Sequence, residues 1–115
     1  MYSITEQMVA WLAALGFKSS TFPDKSGAEC VTVERTGGNV DSFADHPMMA
    51  VQAWAATETR AEEMAMQVRN AALVGPWPDG VTAMHVNSGP YRFNDPDTRR
   101  PRYQLVLDVT CISID

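Results

Sequence analysis

Tyr103, Leu105, Leu107, Val109 and Cys111 alternate with Gln104, Asp108 and Thr110. Period-two alternation puts the apolar set on one face of a β-strand and the polar set on the other. Such a strand belongs in a sheet that is covered on one side and left polar on the other. The cover must come from elsewhere in the chain, and two stretches have the spacing for it.

The first is Ile4 to Leu15, where Ile4, Met8, Trp11, Leu12 and Leu15 fall on one helical face. Ser3-Ile4-Thr5-Glu6 before it has the capping-box form, and Gly16 after it can take the left-handed conformation that ends a helix. The second is Glu58 to Leu73. Thr57 is its N-cap, Glu58, Glu62 and Glu63 lie near its positive end, and Ala61, Met64, Ala65, Val68, Ala72 and Leu73 form its buried stripe. Gly75-Pro76-Trp77-Pro78-Asp79-Gly80 terminates it.

Three further strands are expected. Glu29 to Arg35 alternates and is stopped by Thr36-Gly37-Gly38-Asn39. A polar passage through Asp41, Asp45, His46 and Pro47 leads to Met48 to Ala55, and Val81 to Asn87 follows the second helix. Residues Phe17 to Ala28 read as a connection. The order α-β-β-α-β-β predicts one α+β domain over residues 1–115, with two helices on a four-stranded, mostly antiparallel sheet.

At 115 residues, with 45% apolar and 20% charged side chains, the composition is that of an ordinary globular domain. The net charge of −5 argues against a nucleic-acid partner held by charge. No apolar run approaches the roughly twenty residues that span a bilayer, and the N-terminus lacks the pattern of a signal peptide. A soluble protein made in the cytoplasm is expected. Cys30 and Cys111 each sit inside an apolar alternation and read as buried thiols, although spacing alone leaves a disulfide open.

Nucleophilic catalysis needs a nucleophile, a base and an orienting group that converge. His46 precedes a proline and His85 lies mid-strand between Met84 and Val86, and neither falls in a catalytic motif. No enzyme activity and no cofactor are expected. Asp41, Asp45 and His46 could in principle donate to a hard cation, but their spacing matches no metal motif and a solvated loop is the simpler reading. Gly37-Gly38 lacks the lysine and hydroxyl of a phosphate-binding loop.

The stretch from Asn87 to Gln104 reads as a long arm between two apolar runs. Connections of more than about twelve residues are usually functional or disordered. It gathers Arg92, Arg99, Arg100 and Arg102 against Asp95 and Asp97, and it carries Tyr91 and Phe93. Aromatic residues outside a core, Trp77 included, are candidates for an interface, whereas Trp54 reads as core.

Several segments together resemble the tail terminator proteins of bacteriophages with long, non-contractile tails. They are Val33-Glu34-Arg35-Thr36-Gly37-Gly38, then Val51-Gln52-Ala53-Trp54-Ala55-Ala56-Thr57-Glu58 running into an alanine-rich helix that ends with Val68-Arg69, then Asp95-Pro96-Asp97-Thr98 with Pro101-Arg102-Tyr103-Gln104. The resemblance implies a virion protein without catalysis or cofactor, assembled as a six-membered ring on the last ring of the tail tube. Its partners would be other copies of itself, the tail tube protein and a head-completion or connector protein. In such a ring the arm residues Tyr91, Arg92, Phe93, Asp95, Asp97, Arg99, Arg100 and Arg102 would contact a neighbour, with the arginines meeting Glu58, Glu62 and Glu63 of the next protomer, since guanidinium groups make paired bonds to carboxylates. A neighbouring head-completion protein is the nearest alternative. A small dimeric ligand-binding regulatory module is the alternative from a different class, and would show a concave apolar pocket.

Overall fold

The structure, a computed structural model, describes residues 2–41 and 43–112. In chain order the elements are α1 (Ile4–Ala14), β1 (Ser19–Ser20), β2 (Cys30–Val40), β3 (Ala44–Trp54), α2 (Glu58–Val74), β4 (Val81–Arg92) and β5 (Arg102–Ile112). The strands form one sheet in the order β1-β2-β3-β5-β4. Only the short β1–β2 pairing is parallel; the other three are antiparallel. The α+β class and the two helices are as expected, but the sheet is five-stranded and mixed. The fifth strand is Ser19–Ser20, inside the stretch read as a connection, and is too short and polar to signal itself.

Both helices cover the same face. Val33 of β2 stands beside Val51 of β3, which stands beside Leu105 of β5, and all three share a core with Met8, Trp11 and Leu12 of α1 and Met64, Ala65 and Val68 of α2. Ala61, Ala65 and Ala72 let α2 lie close to the strands. Ser3 and Thr57 cap the helices by accepting from the backbone N–H of Glu6 and Arg60. Two expected stripe residues fail. Leu15 is the C-cap of α1 and Leu73 lies in the last turn of α2, where each helix has run past the edge of the core, so both are exposed.

The strands run longer than expected. Thr36-Gly37-Gly38-Asn39 does not stop β2. The strand passes through it with a register shift between Arg35 and Gly37, and pairs on to Val40 opposite Asp45. Asp45, His46 and Pro47 therefore belong to β3 and not to a loop. Glycine makes this possible, because a Cβ on Gly38, at φ +99°, would sit 2.0 Å from the carbonyl oxygen of His46. Likewise β4 continues to Arg92, which shortens the arm to residues 93–101.

Cys30 and Cys111 are both buried and unbridged. Cys30 stands opposite Trp54 and Cys111 opposite Asp45, at opposite ends of β3. That separation is roughly 30 Å at the usual rise of a strand, far beyond the reach of a disulfide.

The N-terminal segment is pinned by Tyr2, whose hydroxyl donates to the carbonyl of Asp79 at 2.6 Å. Burial, with Cys111 and Asp79 adding to it, pushes the Tyr2 hydroxyl from 10.0 up to about 12. A raised pKa means that the fold favours the neutral phenol. Its contribution is complete below pH 10 and is lost as pH rises through about 12. The thermal midpoint should therefore fall across that window, and Tyr2→Phe should start lower but fall less steeply.

Candidate interaction surface

The face of the sheet away from the helices carries a polar row that crosses all four long strands. Thr32, Gln52, Gln104 and Tyr91 are successive register partners on β2, β3, β5 and β4. Thr32 Oγ1 donates to Gln52 Oε1 at 2.7 Å, and Gln52 Nε2 donates to Gln104 Oε1 at 2.8 Å. The amide of Gln104 then donates to the hydroxyl of Tyr91. Gln52 also donates to Glu34, and the indole N–H of Trp54 donates to Thr32 Oγ1 at 3.0 Å. A linked chain of this kind holds its members in one arrangement, since each amide has its donors and acceptors committed.

Thr32 and Gln52 are only 3% and 6% exposed, although no helix covers them. Trp54 is bonded to Thr32, and residues at the end of the β4–β5 connection lie over Trp54 in turn. Trp54 is 4% exposed, and two guanidinium groups lie over its ring, Arg100 at 5.2 Å and Arg102 at 4.7 Å from the centroid. Arg102 is held between Trp54 and Phe93, whose centroid is 4.5 Å away, and Tyr91 meets Phe93 edge-on. Arg100 donates to the carbonyls of Asp24 and Ala28, tying the connection to the segment before β2.

Residues 93–101 thus fold back onto their own sheet. Asp95 organises the turn: its carboxylate accepts from the backbone N–H groups of Asp97 and Thr98, and the first of these holds its pKa below the ordinary value. Arg99 takes a left-handed φ of 58° at the tip. Asp97 and Arg99 are exposed.

The structure brings together Tyr91, Arg92, Phe93, Arg100, Arg102 and Glu58, but within one chain. Arg92 pairs with Glu58 at 3.1 Å, and Asn94 donates to the same carboxylate oxygen. Within the protomer Glu58 is thus engaged by both Arg92 and Asn94. Glu62 and Glu63 are exposed on α2, and Glu63 lies 3.9 Å from Arg60, which is bonded more closely to Glu29. Among the described residues Arg99, Arg100 and Arg102 make no ion pair with a carboxylate.

Asp41, Asp45 and His46 do not converge. His46 faces Asp41 at 3.1 Å. Asp45 points to the helix side, where Arg35 grips it through two bonds of 2.7 and 2.6 Å. No cluster of three metal donors occurs among the described residues. Trp77 is half-buried and donates to the carbonyl of Ala72, so it belongs to the core margin. The residues missed by the reading of the sequence are Thr32, Gln52 and Gln104. Gln52, a lone amide inside the apolar run Met48 to Ala55, was the available signal.

These contacts separate two arginines that look alike in sequence. Arg99→Glu should leave stability unchanged within about 0.5 kcal/mol, because the side chain is exposed and the left-handed φ is equally unfavourable for either residue. Arg100→Glu should destabilise, because it removes the stacking on Trp54 and sets a carboxylate against two carbonyls. Urea denaturation of both variants checks the contrast, and equal midpoints would refute it.

No protein-family model matches the chain, and no curated protein matches it in sequence.

Proposed function

We propose that this protein is a structural component of a virion, a tail terminator that assembles as a ring, caps the tail tube and offers a surface to the head. The segments around Arg35, Trp54 and Asp95 resemble those of tail terminator proteins. The observation that carries it furthest is the difference between the two sides of the protomer. One face is closed by helices and the other is polar, locked by its hydrogen-bonded row and bordered by Arg99, Arg100 and Arg102, which make no ion pair with a carboxylate among the described residues.

Tube subunits polymerise by repeating one interface, so a terminator must offer that interface on one side only. A ring of protomers with unlike sides meets this need, and closed rings are built from head-to-tail contacts between dissimilar patches. The hexamer and the station at the tube end belong to this proposal. A depression of about 310 Å³ beside α1 and β1 is lined by Thr5, Glu6, Val9, Ser19, Ser20 and Thr21. It offers a ligand only Glu6 as a charged group, which gives little support to a small-molecule module.

Loss of the gene should leave filled heads, unattached tails and tubes beyond their normal length. Purified protein added to growing tubes should stop elongation with no nucleotide present. Tails of normal length that fail to join heads would assign the protein to the head-completion side of the joint. Normal infectious particles would overturn a role in the joint altogether.

A further inference from the structure

Both borders of the sheet are open along much of their length. On one side β1 covers β2 only at Val31 and Thr32. From residue 34 to residue 40 the outer backbone of β2 has no strand beside it among the described residues. On the other side β4 is an edge throughout among the described residues. Exposed edges pair readily with other chains, and proteins normally blunt them with charged side chains or proline. Residues 82–88 of β4 contain neither, and nor do residues 36–40 of β2, although register shifts interrupt the ladder between Val81 and Ala83 and between Val86 and Ser88 in β4, and between Arg35 and Gly37 in β2.

The four long strands alternate in direction, because β2–β3, β3–β5 and β5–β4 are all antiparallel. The two borders therefore run in opposite directions. An identical neighbour placed beside β4 presents its β2 antiparallel to it, with its helices on the same side of the sheet. Head-to-tail repetition of the protomer thus continues the ladder without reversing a strand or a face. Pairing β4 with β4 about a two-fold axis would also be antiparallel, but it would stop at two copies and leave both β2 edges open.

We propose that neighbouring copies join by antiparallel pairing of the β4 edge of one protomer, residues 82–88, with the β2 edge of the next, residues 36–40. The proposal rests on the ring reading and gives it a contact. Backbone hydrogen bonds supply the attachment, as in other cases where a strand is added to a sheet edge. Asn39 and His85 then lie near the seam, both exposed and both on the polar face, since Asn39 pairs with His46 and His85 with Asp108.

The test uses Asn39→Cys and His85→Cys, singly and combined, with a short thiol-reactive crosslinker; Cys30 and Cys111 are buried and serve as the silent background. In protein assembled on tube ends, the double variant should give a ladder of covalent oligomers ending at the ring. A mixture of the two single variants should give dimers, and neither single variant alone should link. Outward amides of residues 82–88 should gain at least about tenfold protection from hydrogen exchange on assembly. Crosslinking of His85→Cys with itself would overturn the proposal in favour of a two-fold pairing. Tubes capped normally with no crosslink would also overturn it, yet leave the terminator reading standing. A crosslinked ring that fails to control tube length would sustain the edge contact and remove the terminator reading.

Discussion

Truncating Trp54 to alanine is expected to lower folding stability by about 3–5 kcal/mol, the usual cost of deleting a buried large aromatic. The loss has three parts. A ring only 4% exposed leaves a cavity behind. Its N–H bond to Thr32 disappears, at the head of the polar row. Arg100 and Arg102 lose the surface on which they lie. Trp54→Phe keeps a ring for the arginines but loses the N–H bond, so it should cost markedly less. Urea unfolding followed by circular dichroism measures both without relying on tryptophan emission. A loss below about 1 kcal/mol for the alanine variant would mean that the 93–101 connection is not ordered over Trp54, since little covering would then remain to lose.

The helices were legible because their signals are local. Ser3 and Thr57 cap, the apolar stripes repeat, and the Gly-Pro run after Val74 stops the chain within a few residues of its effect. The clean alternation of β5 likewise announced a sheet with one covered face. What could not be read were consequences of pairing. Gly37 and Gly38 look like a terminator of β2, yet opposite Met48 and Pro47 they are what lets the hairpin close. The arm looked long because Ser88, Gly89 and Pro90 are turn residues by composition, while in the sheet they lie within β4, whose register against β5 shifts there. The arginine cluster was found but its partners were not. Which carbonyl or ring a guanidinium meets depends on the segment at 24–28 and on Trp54, more than forty residues away in the chain. The polar row was hidden for the same reason: Thr32, Gln52, Gln104 and Tyr91 become neighbours only through register.

Gly38→Ala should disable the β2–β3 hairpin while sparing the core. A side chain at this position requires a left-handed φ of +99°, which costs a non-glycine residue about 1–3 kcal/mol. The clash adds to that, because the new Cβ would meet only backbone: the carbonyl of His46 at 2.0 Å and Cα of Pro47 at 2.7 Å. Backbone in a paired ladder cannot step aside as a flexible side chain can, so the pairing beyond the bulge must open. Val31, Val33, Met49 and Val51 lie before the bulge or past its partner and belong to the main core, so the rest of the sheet should survive. Gly37→Ala is the control: its φ is ordinary and its Cβ would rest 3.7 Å from the sulfur of Met48, a normal contact. Hydrogen exchange should therefore show rapid exchange confined to residues 36–48 in Gly38→Ala and native protection in Gly37→Ala. If the outer edge of this hairpin is also where the next protomer pairs, Gly38→Ala should fail to assemble on tube ends despite a folded core, and Gly37→Ala should assemble normally. A Gly38→Ala protein with an open hairpin that still caps tubes would place the contact between copies elsewhere on the molecule.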